Sequence, residues 1–210
     1  ISVSQTPDQF FLPFIMKRTP KVKEFHSSGV NFSKPTSIIE KLKYRLFLLY
    51  KKYHTLVVLN EDEKQYYPFK NLKVIPNFIS FNENRNFKKK ERKKIIIAAG
   101  RIAPVKQFNH LIESWNLIEK MSPDWEIHIY GNGDSHLYSE LQNLINKYKL
   151  KNIFLKGATS SLNNKMREAS IFALTSVTEC FPMVLLESLA NGLPIISYDC
   201  PHGPKNIITN

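Results

Sequence analysis

The chain has 210 residues, 42% of them hydrophobic, and carries a formal charge of +12 from 30 basic against 18 acidic side chains. That apolar share excludes intrinsic disorder and is enough for one good core or two modest ones. Cys180 and Cys200 are too few for a disulfide framework and stand at no zinc-ligand spacing with the six histidines, so a reducing, cytoplasmic setting is expected.

Strand candidates come first at Ile1 to Ser4 and Val22 to Phe25. Between them, the longest apolar stretch, Phe10 to Met16, is interrupted by Pro13 and falls far short of the ~20 residues that cross a bilayer. A long helix is predicted from Ser37 to Tyr53. It sets Leu42, Leu46, Leu49 and Tyr53 on one face and turns Lys41, Arg45, Lys51 and Lys52 to water. Further strands are expected at Leu56 to Leu59 and Lys73 to Ile75. This incomplete alternation reads as a partial α/β domain over residues 1–80. A basic linker follows over 81–93. The run Lys88-Lys89-Lys90-Glu91-Arg92-Lys93-Lys94 holds no aromatic ring on which a base would stack, which argues against single-stranded nucleic acid.

From Lys94 to Asn210 short apolar runs alternate regularly with helical patterns, the signature of a parallel α/β sheet with crossover helices. Ile95 to Ala99 is a strand, and Phe108, Leu111, Ile112 and Trp115 recur at helical spacing. Glu126 to Tyr130 is a strand closed by Gly131-Asn132-Gly133. Leu137, Leu141, Leu144, Ile145 and Tyr148 make the next helical stripe, and Asn152 to Leu155 a strand ending at Gly157. A short helix around Leu162 and Met166, a strand at Ile171 to Thr175, a helix opened by Pro182 and a strand at Ile195 to Ser197 complete the order. Gly192 and Pro194 mark the last helix stop. The chain begins with Ile1 and its last residues read as the start of a further element, so a longer protein is expected.

Ligands of open parallel sheets sit beyond the carboxyl ends of the strands, which directs attention to two loops. The first, Gly100 to Lys106, brings a guanidinium (Arg101) and an ammonium (Lys106) together, a pair suited to a diphosphate. The second, Thr178 to Glu187, places Glu179 before a helix and Glu187 about one and a half turns into it. The free N–H groups near Met183 and Val184 favour an anion at the same place. Phosphates held in this way need no Mg²⁺ to offset their charge, and no Asp-x-Asp pair is present, so neither metal nor other cofactor is expected.

These stretches together resemble the C-terminal domain of glycosyltransferase family 4, whose GT-B fold faces two Rossmann-like domains. They are Ala99-Gly100-Arg101 with Lys106, Ile129 to Gly133, Phe154 to Gly157, Glu179 to Glu187, Ala190 to Ser197 and Asp199 to Pro204. Upstream, Thr55 to Leu59 and Val74 to Asn77 look like the last strand of an acceptor domain and the crossing out of it.

The resemblance implies a retaining transferase that moves a hexose or N-acetylhexosamine from a nucleoside-diphosphate sugar, with UDP expected, to a polysaccharide or lipid-linked glycan. By the same resemblance Gly100 would belong to the nucleotide-sugar site, in which Arg101 and Lys106 would bind the diphosphate, Glu187 the ribose hydroxyls and Glu179 the transferred sugar. Main-chain N–H groups of Phe181, Met183 and Val184 would complete the cradle, and Gly157 would lead to the nucleobase. His26, after the strand at Val22 to Phe25, stands where the family carries a histidine near the reacting sugar. The sequence departs from the family at Cys180 and Gln107, where glycine is usual, at Asn206, where an acid is usual, and in having no glycine-rich start to its first domain. A lipid-linked acceptor and the basic surface together imply a cytoplasmic protein at the inner, anionic face of the membrane.

Two other classes share some of these features. A nicotinamide-dependent dehydrogenase has the same wound sheet, but Gly131-Asn132-Gly133 is followed by His136 and not by the third glycine of that fingerprint. A basic nucleic-acid-binding module would need a recognition helix or RNA-binding signature, and the lysines and arginines here are instead spread over linker, helix faces and loops, so no nucleic-acid partner is expected. A non-catalytic sugar-nucleotide-binding subunit fits the same residues.

Overall fold

A computed structural model describes residues 10–15, 18–29, 37–79 and 91–208, and divides the chain into two compact units, Ile1–Asn77 and Phe78–Asn210. The strand expected at Ile1 to Ser4 lies outside the described residues. In the first unit β1 (Val22–Glu24), β2 (Thr55–Val58) and β3 (Leu72–Val74) pair in parallel in that order. Their core is aromatic: Phe25, Phe47, Tyr50, Tyr53, Tyr67 and Phe69 close around Leu56 and Val58.

α1 (Ile38–Phe47) opens with a capping box, in which Ser37 Oγ accepts the Glu40 N–H and the Glu40 carboxylate accepts the Ser37 N–H. The helix does not run on to Tyr53 as an α-helix. It tightens into a 3-10 helix over Leu48–Lys52, and the buried side chains are Phe47, Tyr50 and Tyr53. A spacing of three is the repeat that a 3-10 helix places along one side, so aromatic burial selects the tighter winding. Of the apolar face expected from the sequence only Tyr53 is buried, and Leu42 is 60% exposed. Lys41, Arg45, Lys51 and Lys52 face water as expected.

The second unit is a five-stranded parallel sheet in the order β6-β5-β4-β7-β8, from β4 (Ile95–Ala99), β5 (Glu126–Tyr130), β6 (Ile153–Gly157), β7 (Ile171–Leu174) and β8 (Ile195–Ser197). Successive residues of a strand point to opposite faces. Ala98 therefore joins Ile127, Ile129 and Ile153 beneath α2 (Phe108–Ile118) and α3 (Ser135–Tyr148), with Trp115 and Ile112 fully buried. Ile97 and Ala99 join Phe172 on the other face, against Met166 of α4 (Leu162–Glu168) and Leu185 of α5 (Met183–Ala190).

The carboxyl ends of β4, β5 and β6 lie so close that side chains are excluded between them. Gly100 N donates to Tyr130 O at 3.0 Å, Ile102 N to Asn132 O at 2.9 Å and Gly131 N to Gly157 O at 2.9 Å. A Cβ on Gly131 would fall 1.8 Å from the Gly100 carbonyl oxygen, and one on Gly133 2.1 Å from that of Ile102. Backbone approach, and not turn conformation alone, is what these two glycines supply.

Arg92 belongs to the stretch read as linker, yet it is built into the second unit. Its Nη1 donates to the carbonyls of Met166 and Ala169 (3.1 and 2.7 Å), and its Nη2 to those of Asn191 and Gly192 (2.7 and 3.0 Å). These carbonyls lie at or just past the carboxyl ends of α4 and α5, where a cation is also favoured by the helix dipoles. Replacing Arg92 by Met should lower the unfolding free energy by about 2–3 kcal/mol in urea titration. Arg92→Lys should recover only part of it, because an ammonium lacks the planar fork that reaches both helix ends.

Candidate functional site

The loop after β4 is shaped by a short 3-10 helix, Pro104–Lys106, joined to α2 through Gln107 at φ 45° and ψ 43°. Lys106 folds back across the strand end, and a Cβ at Gly100 would lie only 3.1 Å from Lys106 Cε. Its ammonium reaches Glu179 Oε1 at 2.5 Å, and Ser176 Oγ donates to the same oxygen at 2.7 Å. The two charged side chains are 18% and 13% exposed. The backbone secures the pairing, since Thr175 Oγ1 donates to the Lys106 carbonyl and Val177 N to that of Val105, both at 2.9 Å. Lys106 and Glu179, assigned from sequence to different parts of a ligand, thus neutralise each other here.

Glu179 is backed by the segment after β8. It forms a parallel bridge with His202, and a Cβ on Gly203 would fall 2.4 Å from Glu179 Cβ and 3.0 Å from Pro182 Cδ. Asn206, where the family usually has an acid, donates through Nδ2 to the His202 carbonyl. Sequence reasoning missed this supporting role of residues 202–206, for which Gly203 was the available signal. Cys180 and Cys200 are both buried. Burial, reinforced by the negative charge of Glu179, pushes the Cys200 thiol up to about 11, so it stays protonated and a poor nucleophile near neutral pH.

Pro182 starts α5 without any side-chain cap, which leaves the N–H groups of Met183 and Val184 as donors at the helix start. Phe181 is half-buried beside them. Glu187 stands further along the helix, half-buried and, among the described residues, with no hydrogen-bonded or charged partner for its carboxyl group; burial raises its pKa. Arg101 is exposed and also without a partner among the described residues, lining a shallow concavity with Pro104, Asp134 and His136. Gly157 closes β6 at φ +68°, and the adjacent Ala158 N–H donates to Asn132 Oδ1 at 3.0 Å. The structure therefore sets Lys106 against both Gly100 and Glu179, while among the described residues Arg101 and Glu187 form no hydrogen bond or ion pair with either member of the pair.

His26 lies in the first unit, directly after β1, exposed and with Nε2 donating to Glu24 Oε2 at 3.1 Å. Among the described residues no three His, Cys, Asp or Glu side chains are grouped as a metal site.

The model of the family described as Glycosyl transferases group 1 matches residues 80–210. The amylovoran biosynthesis glycosyltransferase AmsD of Erwinia amylovora is 30% identical over 195 residues, which is 87% of this chain and 52% of that protein. The chain thus spans about half the length of this relative. The crystal structure of a single-residue mutant of S. aureus TarM with Fondaparinux, alpha-GlcNAc-glycerol and UDP is similar with a TM-score of 0.79 and 23% identity, over 97% of this chain and 42% of that one. Anabaena Alr3699/HepE with UDP-glucose gives 0.76 and 16%, over 98% and 61%. The α/β class with Rossmann-like parallel sheets, expected as GT-B, is the fold of these structures.

The left-handed conformation of Gln107 accounts for the glycine usual at this position, since a Cβ there costs about 1–2 kcal/mol. Gln107→Gly should raise the urea midpoint by the equivalent of about 1 kcal/mol, once the greater freedom of glycine in the unfolded chain is subtracted. A lowered midpoint would show that the joint carries no strain.

Proposed function

The chain belongs to the glycosyl transferases group 1 family, and on that premise we propose that the protein transfers a hexose or N-acetylhexosamine from a nucleoside-diphosphate sugar, UDP being the nucleotide, to a polysaccharide or lipid-linked glycan with retention of configuration. The observation that carries this reading is the meeting of Lys106 and Glu179 at the ends of β4 and β7. A cation and a carboxylate held in contact are ready to be separated by a ligand that is anionic at one end and rich in hydroxyls at the other. In this reading Lys106 turns to the phosphate oxygens and Glu179 to the hydroxyls of the sugar. Arg101 swings from solvent onto the diphosphate. The unclaimed N–H groups at the start of α5 add fixed donors for the same charge, and Glu187 accepts from the ribose hydroxyls.

As the bond from sugar to phosphate breaks, negative charge grows on the leaving oxygen. Cations and helix-terminal N–H groups already in place stabilise that charge without reorganising, an effect worth several kcal/mol in a site closed to water. The charges of Lys106 and Arg101 against a diphosphate make a metal ion unnecessary, and chelators should leave turnover unchanged. Attack comes from the face that the diphosphate leaves, and His26 is assigned a catalytic part in it. The solved complexes of TarM with UDP and of Alr3699/HepE with UDP-glucose support the choice of nucleotide.

For the acceptor side we assign an anionic membrane surface to α1, where Ile38, Ile39 and Leu42 are exposed among Lys41, Lys43 and Arg45. Apolar tips between cations are what an interfacial helix presents to acidic headgroups. Among the described residues no helix is long and apolar enough to cross a membrane.

Two measurements on the complete protein test these readings. UDP at a hundredfold excess over its Kd should stabilise the fold by about 2.7 kcal/mol, and Arg101→Ala should weaken both this stabilisation and turnover while leaving the unliganded melting temperature in place. Arg101 is the cleaner target because Lys106 replacements leave Glu179 buried and unpaired. No shift with any nucleoside diphosphate would remove the donor assignment. Flotation with phosphatidylglycerol vesicles at low salt should be lost on changing Lys41, Lys43 and Arg45 to Gln, and binding to neutral vesicles alone would sink the membrane assignment.

A further inference from the structure

The loop that carries His26 is pinned at nearly every other residue. Phe25 N donates to the Val57 carbonyl at 2.9 Å, and its ring stacks on Tyr67 with centroids 4.4 Å apart. The Tyr67 hydroxyl donates to the Ser27 carbonyl at 3.3 Å. Gly29 packs on Tyr66 so closely that a Cβ would lie 2.4 Å from Tyr66 Cβ. The centre of this arrangement is Glu63, which is 1% exposed. Its Oε1 accepts from Ser28 Oγ at 2.8 Å and its Oε2 from Gly29 N at 2.7 Å. Glu63 is itself fixed, because its N–H is taken by Asn60 Oδ1 at 3.0 Å at the start of the 3-10 helix Glu61–Tyr66.

Burying a carboxyl group costs free energy unless its hydrogen bonds are met, and an apolar side chain would fill the same space without that cost. What an acid provides and an apolar residue does not is a fixed position for two donors of one loop. Both donors lie within three residues of His26, whose imidazole remains in solvent at the end of the strand. We infer that Glu63 is a positioning residue for the transfer reaction: by holding Ser28 and Gly29 it fixes the loop that presents His26. This rests on the reading of His26 given above. Glu63 touches neither donor nor acceptor in this account and acts only through the loop.

The test is a double-mutant cycle on the complete protein, with kcat and KM for the sugar donor measured for His26→Ala, Glu63→Gln and the pair. Gln keeps the shape of the side chain but sets an amide N–H against one of the two donors. A misplaced group near the chemistry loses up to about a hundredfold in rate, so Glu63→Gln should lower kcat by about 10- to 100-fold with donor KM little changed. In the His26→Ala background the same change should have no further effect on kcat. Losses that multiply would show that Glu63 supports the fold and not the histidine, and would overturn the inference. Normal kcat for Glu63→Gln beside an impaired His26→Ala would overturn it too, while leaving the role of His26 intact. Near-normal kcat for His26→Ala would instead remove the reading on which the inference stands. Should Glu63→Gln fail to fold, Ser28→Ala removes one of the two hydrogen bonds and carries the same cycle.

Discussion

The ion pair between Lys106 and Glu179 joins loops 73 residues apart in sequence, and the geometry of the second unit converges on it. Two opposite charges at this depth gain from their attraction only if the remaining hydrogen-bonding capacity is met, since both have left water. Ser176 Oγ supplies one such bond, and the backbone contacts of Thr175 and Val177 hold the loops in register. Gly100 leaves the space that the lysine stem crosses, and Gly203 the space in which Glu179 is backed. A side chain at either glycine would push one partner away from the other.

A similar device recurs in the first unit, with a different partner. There Glu63, also buried, gathers a serine hydroxyl and a glycine N–H from the loop after β1. In both units a carboxyl group fixes the segment that leaves the carboxyl end of a parallel strand, and in both a glycine is pressed against the side-chain scaffold. Loops at this end of a parallel sheet are where ligands meet the fold, and these two are held by buried polar contacts where a floppy connection would blur the position of whatever they carry. Arg92 does comparable work at the carboxyl ends of α4 and α5, collecting four carbonyls at or just past them.

Much of the second unit was legible because its signals are local. Phe108, Leu111, Ile112 and Trp115 recur at helical spacing and all four are buried, and the strands from Ile95, Glu126, Ile171 and Ile195 lie where short apolar runs place them. Pro182 and Gly192 bound α5 as their backbone preferences require. The first unit was less legible. An α-helical stripe through Leu42, Leu46 and Leu49 was the natural reading of the sequence. The observed core instead takes Phe47, Tyr50 and Tyr53, because the large rings bury more area than the leucines and bring the chain into the 3-10 winding that aligns them. Arg92 looked like one more solvated charge in a lysine-rich run, since nothing nearby in sequence marks the helix ends it reaches.

The amino-acid sequence by itself determined the class of fold, the order of the elements and the residue types available at the ends of the strands, since periodicity, glycine and proline act over a few residues. Only the tertiary structure decided which of those residues meet. That Lys106 pairs with Glu179, that Arg101 and Glu187 stand apart from them, and that Glu63 holds the loop of His26 all follow from strand order and packing. β4 neighbours β7 although two strands intervene along the chain, and contacts made across such a crossover leave no trace in local spacing.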